Sequence, residues 1–139
     1  MNGECHHIGL FSQSPKKLVS FYTEKMGFEH LGTKTVSKEW MAQIFGMPSP
    51  CRLIKLRFGS AILEIFAPQE GEDELANRNS PSEGYNHWAL GVKDKEAFVR
   101  KLQKKGVSLL KLEGTGRFIF FVRDPEENLI EIYQKRGQE

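Results

Sequence analysis

Four short apolar runs along the chain each carry one imidazole or carboxylate: HHIGL around His7, AILEIF around Glu64, NHWALGV around His87 and NLIEIY around Glu131. Alternate side chains of a strand point to opposite faces. One face of these strands therefore holds Ile8 and Leu10, Leu63 and Ile65, Trp88 and Leu90, Ile130 and Ile132, and it packs. The opposite face holds His7, Glu64, His87 and Glu131.

Helical spacing follows two of these runs. After the first, Ser14 and Pro15 read as a cap and a first helical residue, and Leu18, Val19, Phe21, Tyr22 and Met26 recur at helical intervals up to Gly27. After the second, Asp94 precedes Ala97, Phe98 and Leu102, with Lys101, Lys104 and Lys105 in the last turn and Gly106 as the stop. Sliding the chain by 80 positions lays His7-Ile8-Gly9-Leu10 over His87-Trp88-Ala89-Leu90, and farther on, once gaps are allowed, Leu63 to Phe66 matches Ile130 to Tyr133. The chain thus repeats one βαβββ unit. Its remaining strands are expected at about 30–37, 51–58 and 60–66, then at about 107–113, 116–123 and 128–134, with a short helix over Lys38 to Phe45.

The segment from Pro68 to Gly84 is charged, poor in large apolar residues and bounded by proline and glycine, so it reads as a linker holding one helical turn near Glu72 to Ala76. The expectation is an α+β fold: a single domain, 1–139, of two βαβββ modules, about 4–67 and about 85–135, whose curved mixed sheets enclose a metal-binding cleft. If Gly59 and Ser60 form a two-residue turn, Phe58 pairs with Ala61, Leu56 with Leu63 and Ile54 with Ile65 on the apolar face. On the other face Lys55 then lies across from Glu64, Arg57 from Ile62 and Leu53 from Phe66.

Composition narrows the function classes. With 39% apolar and 27% charged residues the chain has the profile of a soluble globular domain, and its formal charge of +2, without a basic stripe, gives nucleic acid no footprint. Cys5 and Cys51 form neither a CxxC nor a disulfide framework. No leader-like N-terminus and no membrane-length apolar window is present, so a cytoplasmic protein without a membrane partner is expected.

Two imidazoles and two carboxylates on one sheet face cannot be left dry and unpaired, and they suit a divalent cation with N2O2 ligation. Four such ligands with room for water resemble an open site more than a closed structural zinc, which uses cysteine. The competing explanation for Glu64 is an ion pair with Lys55. A cation in such a site polarises a carbonyl, and a nearby glutamate can take a proton from the adjacent carbon.

These residues carry a specific resemblance. HHIGL with the following SFYTEKMGF, and the closing FVRDPEENLIEI, resemble the first strand, first helix and final hairpin of the vicinal oxygen chelate superfamily, which contains glyoxalase I, methylmalonyl-CoA epimerase, fosfomycin- and bleomycin-resistance proteins and extradiol dioxygenases. A glutamate at the second ligand position, as at Glu64, is closest to glyoxalase I. The resemblance implies His7, Glu64, His87 and Glu131 as metal ligands, with nickel, cobalt or zinc as the metal. Glu64 and Glu131 would be the catalytic pair, moving a proton through a metal-bound enediolate of a thiol conjugate of a 2-oxoaldehyde. It also implies a small-molecule substrate and a homodimer, with ligands drawn from one chain or shared between two. The alternatives are an acyl-CoA epimerase, a fosfomycin-type resistance enzyme and a metal-free protein that sequesters a small molecule.

Lys55, Arg57 and Arg117 are candidate contacts for an anionic substrate. Trp40 and Phe45 are candidates to line its pocket, and Trp88, Phe118 and Phe120 are expected in the core. His6 is expected on the face opposite His7. Because Glu126 and Glu127 replace the glycine of the usual DP-x-G-N turn, Asn128 is expected to supply any left-handed residue there.

Overall fold

Gly59, at φ +59°, and Ser60 make the tight turn between two strands, β3 (Cys51–Phe58) and β4 (Ala61–Pro68). In the computed structural model, which describes residues 3–69, 84–114 and 116–136, this hairpin has the register expected from its alternation. Phe58 pairs with Ala61, Leu56 with Leu63 and Ile54 with Ile65, while Lys55 faces Glu64, Arg57 faces Ile62 and Leu53 faces Phe66. The pairing continues to Cys51 opposite Pro68, so β4 runs past its expected end.

The chain divides into two units, Met1–Ser80 and Pro81–Glu139. In the first, β1 (Ile8–Phe11) lies parallel to β4, and β2 (Glu29–Val36) lies antiparallel to β3, giving the order β1-β4-β3-β2. Between β1 and β2 runs α1 (Pro15–Ser20), which widens into a π-helical stretch over Phe21–Lys25. The Thr23 hydroxyl donates to the Val19 carbonyl at 2.8 Å and the Met26 amide reaches back five residues to Phe21. The wider turn places Phe21, Tyr22 and Met26 together in the core beside Leu18, Leu56, Leu63 and Ile65. Each aliphatic side chain buried there contributes about 1.5–3 kcal/mol. Pro15 takes the first helical position as expected, but Ser14 makes no side-chain cap bond. α2 (Lys38–Phe45) begins where the Ser37 hydroxyl accepts from the Trp40 amide, and it stops at Gly46, φ +69°.

The second unit repeats the plan. β5 (His87–Val92) is parallel to β8 (Leu129–Gln134), and β7 (Arg117–Arg123) joins β8 to β6 (Leu109–Gly114), giving β5-β8-β7-β6. α3 (Lys95–Lys104) is capped by the Asp94 carboxylate, which accepts from the Ala97 amide at 3.0 Å. Val107 closes this helix, its amide bonding the Leu102 carbonyl, which is why β6 starts two residues later than alternation suggested. Val99, Leu102, Leu90, Val92, Val122, Ile130 and Ile132 are buried. The result is an α+β fold of two modules with four-stranded mixed sheets. No helix among the described residues is long and apolar enough to cross a membrane. The helical turn expected near Glu72 to Ala76, with most of the expected linker, lies outside the described residues.

The turn before β8 departs from expectation. Its left-handed residue is Glu127, at φ +69°, and not Asn128. Buried Asp124 explains the shift: its Oδ1 accepts from the Glu126 and Asn128 amides, and its Oδ2 accepts from the Asn128 side chain at 2.8 Å. Asn128 is thereby tied to the start of the strand, and the reversal falls one residue earlier. A non-glycine residue in this conformation costs about 1–2 kcal/mol. Glu127→Gly is therefore expected to raise stability by about 0.5–1 kcal/mol after the entropy of the added glycine is counted. Urea unfolding of the two proteins measures this, and an unchanged or lower midpoint would contradict the strain argument.

Candidate functional site

In each module the first and last strands bring one histidine to one glutamate by the same register. Gly9 of β1 lies directly across from Glu64 of β4, and His7, just ahead of the strand, reaches the same carboxylate. Ala89 of β5 lies across from Glu131 of β8, and His87 stands two residues before it. The Nε2 of His7 is 3.7 Å from Glu64 Oε1, and the Nε2 of His87 is 3.6 Å from Glu131 Oε1. The residues across from the glutamates on β1 and β5 are glycine and alanine, the two smallest available, and each histidine reaches its glutamate diagonally past them.

The other ring nitrogen is also engaged in both cases. His87 Nδ1 lies 2.5 Å from Asn86 Oδ1, and His7 Nδ1 lies 2.9 Å from His6 Nδ1. His6 is thus not on the opposite face. Strand alternation does not apply to it, because β1 begins only at Ile8 and the two histidines precede it.

The glutamates differ in their second neighbour. Lys55 pairs with Glu64 in the β3–β4 ladder and its Nζ lies 3.6 Å from Oε2, so the ion pair weighed against a metal is present beside the histidine contact. Glu64 is 8% exposed, and both its oxygens face nitrogen. The residue in Lys55's place opposite Glu131 is Phe121, whose ring also meets the His87 ring edge-on at 5.3 Å. One carboxylate sits beside a cation, the other beside an aromatic ring.

Of the other candidate cations, Arg57 is held by Glu29, to which its Nε donates at 2.9 Å, and Arg117 is exposed at the start of β7 opposite Gly114. Phe45 packs on Phe11 and Phe66, at 4.9 and 5.4 Å between ring centroids, and these lie two residues beyond Gly9 and Glu64 on the same face. Trp40 is 66% exposed. Trp88 is half-buried and Phe120 buried, as expected, but Phe118 is not core: it is exposed and the Lys111 ammonium lies 3.9 Å from its ring centroid.

The donor set can be tested against a divalent ion. Nitrogen and oxygen ligands sit about 2.0–2.2 Å from such an ion, so neighbouring ligand atoms are roughly 3.0–3.5 Å apart. The two histidine–glutamate separations exceed that range by only a few tenths of an ångström, and both imidazoles present the nitrogen left over from the contact at Nδ1. Among the described residues, neither module adds a third histidine, cysteine or carboxylate to its pair.

A family model described as the Glyoxalase/Bleomycin resistance protein/Dioxygenase superfamily matches residues 4–132. The chain belongs to this superfamily. Solved structures that share its fold include the following three. A glyoxalase family protein from Enterococcus faecalis is 25% identical, with 94% of this chain and 97% of that one covered and a TM-score of 0.66. One from Bacillus cereus is 20% identical, with 96% and 94% covered and a TM-score of 0.71. The trypanothione-dependent glyoxalase I of Leishmania major is 23% identical, with 96% and 87% covered and a TM-score of 0.66. No curated protein sequence matches the chain. The superfamily includes enzymes such as glyoxalase I and commonly binds divalent metals.

A nearly buried carboxylate in an apolar strand is a poor choice for stability alone, since replacing a buried ion pair by apolar residues is often neutral or stabilising. Replacing both members of the pair, Glu64→Leu together with Lys55→Met, is expected to raise the stability of the metal-free protein by about 1 kcal/mol. A clear fall in its thermal midpoint would instead make Glu64 a structural residue.

Proposed function

We propose that the chain is a metal-dependent, glyoxalase I-like lyase or isomerase that relocates a proton on a thiol conjugate of a 2-oxoaldehyde. The observation that carries this reading is the duplicated pair: His7 with Glu64 and His87 with Glu131, set by the same register in both modules. In this proposal the four side chains ligate one divalent ion of the nickel, cobalt or zinc class. When bound, such an ion supplies Lewis-acid polarisation of a substrate carbonyl.

The residues divide the remaining work. Glu64, facing His7 with one oxygen and Lys55 with the other, is the fixed ligand. Glu131 has its histidine on one side and the Phe121 ring on the other, which leaves it freer to take a proton from the carbon beside the carbonyl and return it to the neighbouring carbon. Phe11, Phe45 and Phe66 offer apolar surface to the conjugate. Arg117 is exposed and available to an anionic group, whereas Arg57 is already paired with Glu29. The protein works on a small molecule in the cytoplasm, as a homodimer like many superfamily members.

The Lys55–Glu64 ion pair supports a second reading, in which the chain sequesters a small molecule without metal. Elemental analysis after incubation with nickel or zinc separates the two, since stoichiometric uptake is expected for the enzyme and none for the binder. Turnover of methylglyoxal is then assayed separately with glutathione, bacillithiol and coenzyme A. Glu131→Gln is expected to lower turnover by about 10²–10⁴-fold, while Glu64→Gln acts chiefly on metal affinity. Full turnover in both variants would overturn the proton-transfer assignment.

A further inference from the structure

Resting on the metal-ligand reading above, we propose that Asn86 and His6 are positioning residues that set the tautomers of His87 and His7. Both occupy the place immediately before a paired histidine, and both sit at Nδ1 rather than Nε2: Asn86 Oδ1 at 2.5 Å and His6 Nδ1 at 2.9 Å. The residues are 80 positions apart, as the histidines are, so the repeat has kept the arrangement while changing the side chain.

A neutral imidazole carries one N–H and one lone pair, and the partner of one nitrogen decides which is which. The amide oxygen of Asn86 can only accept and at 2.5 Å is the acceptor within hydrogen-bond distance, while Glu131 Oε1 stands 3.6 Å from Nε2, so His87 donates through Nδ1–H and its Nε2 keeps the lone pair on the side of Glu131. His6 does the same for His7 when its own proton is on Nε2, leaving Nδ1 to accept. The opposite tautomer would place a proton on Nε2 and bar it from ligation. Outer partners of this kind fix ring orientation as well, and their removal commonly costs about 10–100-fold in metal affinity. Asn86 and His6 are both exposed and precede their strands, so neither is part of the packed core.

Two measurements on the full chain test the assignment. Imidazole 15N shifts of the metal-free protein, recorded at a pH where the rings are neutral, are expected to show Nδ1–H tautomers for His7 and His87. Asn86→Ala should shift His87 alone towards the Nε2–H form and His6→Ala should shift His7 alone, while Asn86→Asp and His6→Asn, which keep an acceptor, should preserve the wild-type pattern. Nickel binding measured by calorimetry should weaken by about 10–100-fold in each alanine variant and recover in the acceptor variants. Alanine variants that keep both the tautomers and the nickel affinity would overturn the proposal. Wild-type protein that takes up no nickel while showing the expected tautomers would instead sink the metal-ligand reading beneath it.

Discussion

Pairing of the first and last strands of each module in parallel, with a glycine or alanine directly across from a glutamate, is the constraint on which the candidate site depends. Parallel register brings the histidine two residues upstream to within 3.7 Å of the carboxylate in both modules. A slip of one residue would turn every side chain of a strand to the other face and bury the imidazole or carboxylate under a helix. The apolar side of the strands prevents that slip: Leu63, Ile65, Leu90, Ile130 and Ile132 are almost fully buried, so the alternative register would expose them. Hydrophobic burial therefore holds polar chemistry in place at a distance of one pleat.

Duplication has not made the two pairs identical. Lys55 stands opposite Glu64 and Phe121 opposite Glu131, although both occupy the same ladder position relative to their glutamates. The carboxylate beside a cation has a nitrogen within 3.7 Å of each oxygen, and the one beside a ring has one at a single oxygen among the described residues. An enzyme that needs one group to hold and another to move a proton gains from such a division, whereas a scaffold built for stability would not. The preceding residues differ in the same spirit, with an amide in one module and an imidazole in the other.

Much of this was legible in the chain because period-two alternation, glycine turns and the 80-residue repeat all point the same way. The β3–β4 register followed from Gly59 and Ser60 alone, and the short α2 helix from its span between Lys38 and Gly46. The place of His6 is not legible from alternation, since it lies before the strand begins. Residue preference points to Asn128 as the left-handed residue of its turn, but Asp124 and its three bonds to Glu126 and Asn128 place it at Glu127. The alternation of its strand points Phe118 to the core, but it is exposed and the Lys111 ammonium lies over its ring. Asn86 has one signal in the chain, a hydrogen-bonding residue immediately before the histidine in both copies of the repeat.

The central claim is that two imidazoles and two carboxylates, one of each from either module, bind a single ion. X-ray absorption at the zinc edge of the zinc-loaded protein tests it most directly. The account predicts a shell of nitrogen and oxygen only, at about 2.0–2.2 Å, with outer scattering from two imidazole rings. A sulfur neighbour at about 2.3 Å, or scattering from a single ring, would contradict it.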